Sequence, residues 1–584
     1  MSLAQPLAPA RRWQFGPIWL VAPTLAFMAV FFLFPMLRLL TLSVVDPATS
    51  SLTAQHYGHL ADNPVYWRIL GITFRISILT ALLSVALGYP VARWLASYPE
   101  ERRGKFLFMI LLPFWASYLV KTFAWMIILG NRGVLNALFV GSGISDKSLP
   151  LMYNEFGVLV GMVHAMMPLA ILTMLPVMSE IDLRLTQAAR SLGAGRTQGF
   201  WMVYFPLSIP GVAAAGLLTF ITSLGFFIVP AYLGGRGQTM LAQVIITQVQ
   251  ELVNWAFAAV LAALMVATAL IAIWIYDQFF GLSSLTAGSA ETGKKRKHGA
   301  ALRKAGAHIL ETLGRLTSGL DRLGRDSEGE GTPLGTRIYV GAVLVFLISP
   351  MLVVLLLAFT SASSLAFPPP GFSLRWFEQY FGSPIWISAT IRSFGVAFAT
   401  AFCATVLGGL AALALARSSS RWNKLIFGFM LAPMIVPRIV VAVGLFYLMA
   451  QIGLVASNTG LVIGHTLLAI PYTFIAIGAV LKGYDWRLNQ AAATLGAGQA
   501  TTFRFITLPL LRGGIVSAAL FAFVTSFDDL TIALFVSGGL KSTLPKQMWD
   551  DMYLQLNPTL AAVSVVVLAI VSLILIVTQR LTRK

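Results

Sequence analysis

The sequence predicts an all-α polytopic membrane protein with about 12 transmembrane helices, arranged as two six-helix repeats. Of its 584 residues, 57% are hydrophobic and only 11% are charged, and the mean hydropathy is +0.80. A soluble domain has roughly 25% charged residues, so the composition excludes that class. Two similar segments, DLRLTQAARSLGAG from Asp182 to Gly195 and DWRLNQAAATLGAG from Asp485 to Gly498, lie about 303 residues apart. A repeat of this length indicates two related halves.

Apolar runs that could cross a bilayer, which takes about 20 residues, occur six times in each half. The first six lie at about 17–45, 67–92, 106–129, 157–178, 212–233 and 256–280. The other six lie at about 337–359, 386–416, 425–450, 459–481, 514–536 and 559–578. Strands of a membrane barrel would alternate apolar and polar residues, and these runs do not. The spans are therefore predicted to be helices.

The distribution of charge predicts the topology. A formal net charge of +19 would suit a nucleic-acid-binding protein, but most of the Lys and Arg lie between spans on one side. They occur at Arg11 and Arg12, in the turn at 93–105, in both repeat segments, in the central linker and at Arg583-Lys584. Basic residues concentrate on the cytoplasmic side of membrane proteins. We therefore expect both termini in the cytoplasm, a lipid bilayer as the surroundings and no nucleic-acid partner.

The chain divides into a first half (1–280), a basic linker (281–336) and a second half (337–584). The linker contains KKRK at Lys294–Lys297, a patchy helical run from Ala301 to Leu316, and the acidic, Gly-rich tract Asp326–Gly331. It is read as a cytoplasmic tether, with an amphipathic helix lying on anionic lipid as the alternative.

Residue chemistry excludes several functions. Gly288–Lys295 reads GSAETGKK, which resembles a phosphate-binding P-loop but ends in Lys where the motif requires Ser or Thr. The single cysteine, Cys403, lies in an apolar span, so neither a disulfide nor a thiol metal site is expected. We predict no catalytic residue and no metal ligand. An intramembrane enzyme would need clustered His, Asp or Glu within the spans.

The repeated segments belong to loops 182–211 and 485–514, each predicted to form a helix–turn–helix. Each first helix contains an Ala pair, and the glycine after it suits a helix C-cap with positive φ. A short second helix is expected to end near Pro206 or Pro509. The candidate docking residues are Gln187, Ala188, Ala189, Gly193 and Gly195 in the first loop, and Gln490, Ala491, Ala492, Gly496 and Gly498 in the second.

The spacing QAAxxxGAG resembles the EAA loop of ATP-binding-cassette (ABC) importer permeases. This resemblance implies a type I importer permease fold in which each loop docks on one of two copies of a cytoplasmic ABC ATPase. It also implies an extracytoplasmic substrate-binding protein, with ATP and Mg²⁺ in the ATPase and no cofactor in this chain. The family's Glu is Gln187 in one copy and Gln490 in the other, so the ion pair it would make is absent.

Further motifs resemble the two permeases of spermidine/putrescine importers, which implies two permeases fused in one chain of a bacterial inner membrane. In the first half they are VALGYPVA at 85–92 and LPFWASYLVKTFAW at 112–125; in the second, KGYDWR at 482–487 and SFDDLTIALFV at 526–536. The implied substrate is a polyamine or related small amine. Iron(III), thiamine or an aminophosphonate is the alternative, because related permeases share this pattern. A secondary transporter, which also has six-plus-six repeats, would have no use for paired docking loops.

Asp528 and Asp529 are the candidate substrate-path residues, because charges within membrane spans usually face a cavity or a partner. At 1.5 Å per residue, Asp528 is expected about 21 Å beyond Gly514 along span eleven. The first half has Gly225 at the matching position. Aromatic faces for an ammonium group are expected from Trp125, Trp549 and Tyr553. The alternative is a structural ion pair with one of the basic residues in or near the spans, which are Arg75, Lys121, Arg392 and Arg438.

Overall fold

A computed structural model describes residues 17–45, 51–280, 311–312, 314–317, 333–364, 367–539, 541–554 and 557–582. These residues form helices and connecting loops, with two isolated β-bridges, Val45–Leu52 and Thr360–Phe372. Several sequence features lie outside the described residues: Arg11 and Arg12, the P-loop-like Gly288–Lys295, the basic Lys294–Lys297, most of the helical run Ala301–Leu316, the acidic Asp326–Gly331 and the terminal Arg583-Lys584.

The first half contains fourteen described α-helices. They are α1 (Ala22–Met28), α2 (Phe34–Leu42), α3 (Gln55–Asp62), α4 (Pro64–Ala96), α5 (Glu100–Trp115), α6 (Tyr118–Leu129), α7 (Val134–Gly141), α8 (Glu155–Ser179), α9 (Arg184–Ser191), α10 (Arg196–Gly199), α11 (Phe205–Leu224), α12 (Ile228–Leu233), α13 (Leu241–Gln250) and α14 (Trp255–Phe280). A 3₁₀ turn, Pro17–Val21, precedes α1, and a π-helical turn, Ala29–Leu33, joins α1 to α2.

The second half has the same order, except that one continuous helix replaces α1 and α2 and α7 has no counterpart. Its described helices are α15 (Leu334–Ala358), α16 (Arg375–Gly382), α17 (Pro384–Arg417), α18 (Asn423–Ile435), α19 (Arg438–Gln451), α20 (Asn458–Lys482), α21 (Arg487–Thr494), α22 (Gln499–Thr502), α23 (Leu508–Phe527), α24 (Thr531–Val536), α25 (Leu544–Leu554) and α26 (Thr559–Thr582).

The helices confirm the polytopic all-α fold. Within the described residues, ten helical segments are long and apolar enough to cross a membrane, and the bent pair α18–α19 makes an eleventh. The apolar part of α26, Thr559–Ile574, lies where the twelfth span is predicted.

Two predicted spans are not continuous helices. The third, 106–129, is broken between α5 and α6, where Ala116 and Ser117 have extended backbone (ψ 141° and 137°). The ninth, 425–450, is broken at Val436 and Pro437, and the helices on either side meet at 96°. Proline disfavours the helical conformation of the residue before it, which explains the second break.

In each half, three long helices pack together as a bundle: α4, α8 and α11 in the first half, and α17, α20 and α23 in the second. A glycine permits close packing against the short helix that follows the bundle. A Cβ at Gly161 would lie 2.7 Å from Leu233 Cδ1 of α12, and one at Gly464 would lie 2.6 Å from Ile532 Cγ2 of α24. These glycines match in the sequence repeat, so the repeat extends to tertiary packing.

The halves exchange their first helices. The 3₁₀ turn and α1 pack on α17 of the second half, where the Thr24 hydroxyl donates a hydrogen bond to the Leu407 carbonyl (2.7 Å). In the other direction α15 packs on α4 to α6, and the Tyr339 hydroxyl donates to the Leu87 carbonyl (2.8 Å). Leu87 and Leu407 occupy equivalent places in α4 and α17, each directly before a glycine. The first helix of each half therefore packs on the other half at an equivalent position.

Candidate functional sites: the paired loops and the interface between the halves

The paired loops have the predicted C-cap geometry. Gly193 follows α9 with φ +90°, and Gly496 follows α21 with φ +82°. In the first loop the Gly193 N–H donates to Arg190 O (2.9 Å) and the Ala194 N–H to Ala189 O (3.0 Å). This is a Schellman motif, which requires the left-handed conformation at the glycine. The second loop makes the corresponding bonds, from Gly496 and from the residue after it, both at 3.0 Å.

The tips of both loops face away from the helix bundles. No residue of α9 is buried, and Gln187 and Gln490 are both exposed. Leu192 and Leu495, which directly precede the two cap glycines, are 90% and 88% exposed. Of the predicted docking residues, Ala492 alone is buried. Leu192 and Leu495 therefore occupy equivalent exposed positions at the two turns.

Basic residues at the ends of long helices hold the loops in place. The Arg93 guanidinium, in the last turn of α4, lies 4.4 Å from the ring centroid of Phe200 and 5.0 Å from that of Tyr204. In the second half the Arg417 guanidinium, in the last turn of α17, lies 4.9 Å from the ring centroid of Trp486. Such cation–π contacts are worth about 0.5–1 kcal/mol at exposed sites. Movement of a loop is thus linked to the helix that ends beside it.

The second loop begins with a local charge pair. Hydrogen bonds from the side chain and the backbone N–H of Arg487 hold the pKa of Asp485 below its ordinary value. Both side chains are exposed, so the contribution to stability is small.

The first loop has an additional neighbour from the linker. Gly314 is buried, and a Cβ there would lie 3.8 Å from Gln198 Cα and 3.8 Å from Trp201 Cβ. The described part of the linker therefore contacts the first loop.

The second helix of each loop does not end at Pro206 or Pro509, contrary to the sequence expectation. In the first loop α10 continues through a π-helical turn, Phe200–Tyr204, directly into α11, and the second loop does the same through Phe503–Thr507. Each proline lies at the beginning of the following helix. A proline is tolerated there because the residue needs no N–H donor in the first turn. The second helix of each loop and the membrane helix after it thus form one continuous helical rod.

Asp528 and Asp529 lie at a break and not within a continuous helix. Helix α23 ends at Phe527, and Asp528 is its C-cap. The Asp529 carboxylate accepts a hydrogen bond from the Ile532 N–H (2.7 Å) at the beginning of α24. A side chain that caps the next helix in this way competes with continuation of the preceding one. The continuous span-eleven helix predicted at this point is wrong.

Asp528 faces the break between α5 and α6 of the other half. Its carboxylate interacts with the Ser117 side chain, and it attracts Lys121 and Arg438 at longer range. The equivalent residue of the first half, Gly225, contacts the break between α18 and α19: a Cβ there would lie 3.2 Å from Pro437 Cβ. The two contacts between the halves are therefore equivalent in position, and one of them contains a carboxylate.

Asp529 points elsewhere and is only 3% exposed. Its Oδ1 lies 3.6 Å from Nε2 of His465, whose Nδ1 is 2.7 Å from the Ser526 hydroxyl. Asp529 therefore belongs to a buried polar cluster between α20 and the end of α23.

The space beside Asp528 is narrow. Asp528 lines a cavity of about 10 Å³ together with residues of both halves, namely Trp115, Ser117, Val524, Phe527, Leu544, Pro545, Met548, Val567 and Val571. A volume of this size accommodates about one water molecule. The structure is therefore closed around Asp528, with no room for an organic substrate.

The three predicted aromatic residues do not line this cavity. Trp125 is 4% exposed and packs with its ring centroid 5.5 Å from His164 and 5.3 Å from Phe346. Trp549 lies on α25, which also contributes to the cavity wall, and its carbonyl accepts a hydrogen bond from the Tyr232 hydroxyl. Tyr553 is 80% exposed. On α25 the cavity is lined by Leu544 and Met548, and Trp549 and Tyr553 lie on the neighbouring face of the same helix.

Of the four basic residues considered as ion-pair partners, two have other partners and two lie near Asp528. Arg75 pairs with Glu155 (2.7 Å), and Arg392 donates to the Ser542 carbonyl (3.2 Å). Lys121 and Arg438 remain beside Asp528, so the alternative of a structural charge cluster applies to these two residues. Ser117 was not among the residues predicted from the sequence, because a serine within an apolar run gives no signal of a break.

Comparison with known proteins assigns the family. A family model described as "Binding-protein-dependent transport system inner membrane component" matches residues 64–280 and 404–584, which is more than half of the chain. The chain belongs to this family. It is a multi-pass inner-membrane permease of the ABC importer class, and two permease domains are joined in one chain.

The relatives of this permease include both subunits of one kind of importer. The spermidine/putrescine transport system permease protein PotB of Salmonella typhimurium (strain SL1344) is 31% identical over 207 residues, covering 35% of this chain and 72% of PotB. PotB of Haemophilus influenzae is 30% identical over 262 residues, covering 44% and 91%. PotC of Haemophilus influenzae, from the same kind of system, is 32% identical over 214 residues, covering 37% and 83%.

Proposed function

We propose that this fused permease imports a polyamine, such as putrescine or spermidine, or a related small amine, driven by ATP through alternating access. The observation that carries the proposal is the carboxylate of Asp528 at the closed contact between the halves. Although Lys121 and Arg438 also lie nearby, this carboxylate can pair with an ammonium group of the substrate when the contact opens. The names of the relatives, spermidine/putrescine permeases of two types, support the same substrate class.

In the proposed mechanism the paired loops bind two copies of a cytoplasmic ABC ATPase, one at each exposed tip. The ATPase holds ATP and Mg²⁺ and carries out hydrolysis, while this chain contributes no catalytic residue. Both termini are then cytoplasmic, and a substrate-binding protein delivers the amine on the outer side. Because each loop forms one rod with the following membrane helix, movement of an ATPase is transmitted to α11 and α23. The ends of these two helices form the contacts at Gly225 and Asp528.

The number of ATPase copies bound to each variant tests whether the loop tips are the docking sites. Leu192→Glu and Leu495→Glu each place a charge at one exposed tip without disturbing the core. We expect each single variant to copurify with one ATPase copy and the double variant with none, measured by native mass spectrometry. Leu252→Glu, at a residue that is 60% exposed outside both loops, is the matched control and should retain two copies. Retention of two copies by both single variants would refute docking at the tips.

The substrate assignment is tested by uptake. Asp528→Asn keeps the size of the side chain and removes its charge. We expect initial uptake of radiolabelled putrescine to fall at least tenfold, while Asp62→Asn, an exposed residue of α3, should leave uptake within about twofold. Calorimetry on the cognate binding protein provides the independent measurement. Binding of iron(III), thiamine or an aminophosphonate, with no heat from putrescine or spermidine, would overturn the polyamine proposal.

A further inference from the structure

Lys121 is a buried cation close to the proposed substrate carboxylate. It is 3% exposed and lies on α6 one turn after Ser117, whose carbonyl accepts a hydrogen bond from the Lys121 N–H (3.0 Å). Ser117 is the N-cap of α6, and its side chain interacts with Asp528, so Lys121 lies one helical turn from that contact. An ammonium group buried at membrane depth is costly and needs partners.

The partners of Lys121 hold it only loosely. The ammonium Nζ donates one hydrogen bond, to the Pro113 carbonyl (3.1 Å), and lies 4.2 Å from the ring centroid of Tyr118. Its charge also attracts the Asp528 carboxylate. The other neighbouring cation, Arg438, also donates to the Tyr472 hydroxyl (3.1 Å). Of the two, Lys121 has the more flexible stem and a single point charge, so its ammonium is the easier to displace.

The broken symmetry between the halves links Lys121 to Asp528. Lys121 is the fourth residue of α6, and the fourth residue of the equivalent helix α19 is Val441. Asp528 likewise corresponds to Gly225 in the first half. The scaffold therefore requires neither charge, yet both occur at the same one of the two contacts, on facing helices.

We propose that Lys121 is a resident counter-ion, whose ammonium neutralises Asp528 in the closed state and is displaced by an ammonium group of the substrate. This inference rests on the proposed function. The cavity beside Asp528, about 10 Å³, has no room for a second organic cation until the contact opens. The exchange keeps one ammonium beside the Asp528 carboxylate, while Nζ of Lys121 retains its hydrogen bond to the Pro113 carbonyl and its contact with the Tyr118 ring. It also limits affinity, so that an amine leaves the site as readily as it enters.

Removal of the resident charge tests the inference in the full chain, coexpressed with its ATPase and binding protein in cells that lack other polyamine uptake. Lys121→Met retains the long apolar stem and removes the ammonium. We expect the KM for putrescine uptake to fall about fivefold and the maximal rate to fall by a similar factor, because the amine binds without a competitor and leaves more slowly. Lys121→Arg keeps a charge and should restore the KM to within about twofold. Val441→Met is the matched control on the equivalent helix.

The folded state provides a second readout that does not depend on transport. In the purified chain, Lys121→Met and Asp528→Asn should each lower the thermal midpoint, and the double variant should be more stable than the sum of the two losses predicts. Such coupling with an unchanged KM in Lys121→Met would identify a purely structural ion pair and overturn the inference alone. Absence of coupling would also overturn it. Absence of putrescine and spermidine uptake by the parent chain would overturn the proposed function, and the inference with it.

Discussion

The cap glycine of the first loop gives a sharply defined prediction. Gly193 has φ +90°, and no atom lies within 4 Å of a Cβ built there, so a Cβ at this position meets no steric clash. The cost of Gly193→Val is therefore that of the left-handed backbone itself, about 1–2 kcal/mol, with a β-branched residue at the upper end. That cost falls on the Schellman motif at the end of α9.

Hydrogen exchange in lipid nanodiscs measures this effect directly. A loss of 1–2 kcal/mol corresponds to a five- to thirty-fold change in the opening equilibrium. We expect the Ala194 N–H, which bonds to Ala189 O, to exchange faster by this factor in Gly193→Val. Gly496→Val should have the same effect on the second loop, where φ is +82°.

A glycine with ordinary backbone geometry is the matched control. Gly483 caps α20 at φ −90°, and a Cβ there would lie 3.8 Å from the nearest atom, the Val480 carbonyl oxygen. Gly483→Val should therefore change the free energy of local opening, measured by hydrogen exchange, by less than about 0.5 kcal/mol. If Gly193→Val and Gly483→Val change loop exchange equally, the left-handed cap is not what holds the turn, and the reasoning fails.

Two further predictions concern packing. Thr24→Val removes the hydrogen bond from the exchanged first helix to the Leu407 carbonyl, and we expect a loss of about 1 kcal/mol in unfolding free energy, measured by denaturant titration in detergent, with unchanged KM for uptake. Gly464→Leu inserts a side chain where even a Cβ would lie 2.6 Å from Ile532 Cγ2, and overpacking of this kind costs about 1–3 kcal/mol. Gly478→Leu on the same helix meets no atom within 4 Å of its Cβ and should be tolerated. Equal thermal midpoints for these two leucine variants would contradict the close packing of α20 on α24.

The sequence was sufficient for features that depend on local chemistry. Composition and run length predict spans, and the small residues before Gly193 and Gly496 predict a helix with a left-handed cap, because that conformation favours glycine wherever it occurs. The break at Pro437 was not predicted: a residue before proline tends to avoid the helical region, but Pro433 lies within α18 without breaking it.

Features that depend on contacts between the halves could not be predicted from the sequence. Ser117 occupies the equivalent break with no Pro or Gly beside it, and its importance comes from Asp528, which is remote in the chain. The end of α23 at Phe527 likewise depends on Asp529 capping the next helix. Trp125 was expected beside a substrate because tryptophan binds cations well, but its ring packs against Phe346 of the second half. Long-range pairing of this kind is not encoded in hydropathy or in spacing.

The exchanged first helices have a consequence for synthesis of the chain. The segment Pro17–Met28 is made long before its partner α17, which begins at Pro384. The first span must wait in the bilayer, with its Thr24 hydroxyl lacking its final acceptor, until the second half arrives. The first helix of each half then packs on the other half, and this packing does not depend on the segment that joins them. Two polypeptides cut between 281 and 336 should still find one another, so separate genes and one fused gene can produce the same assembly.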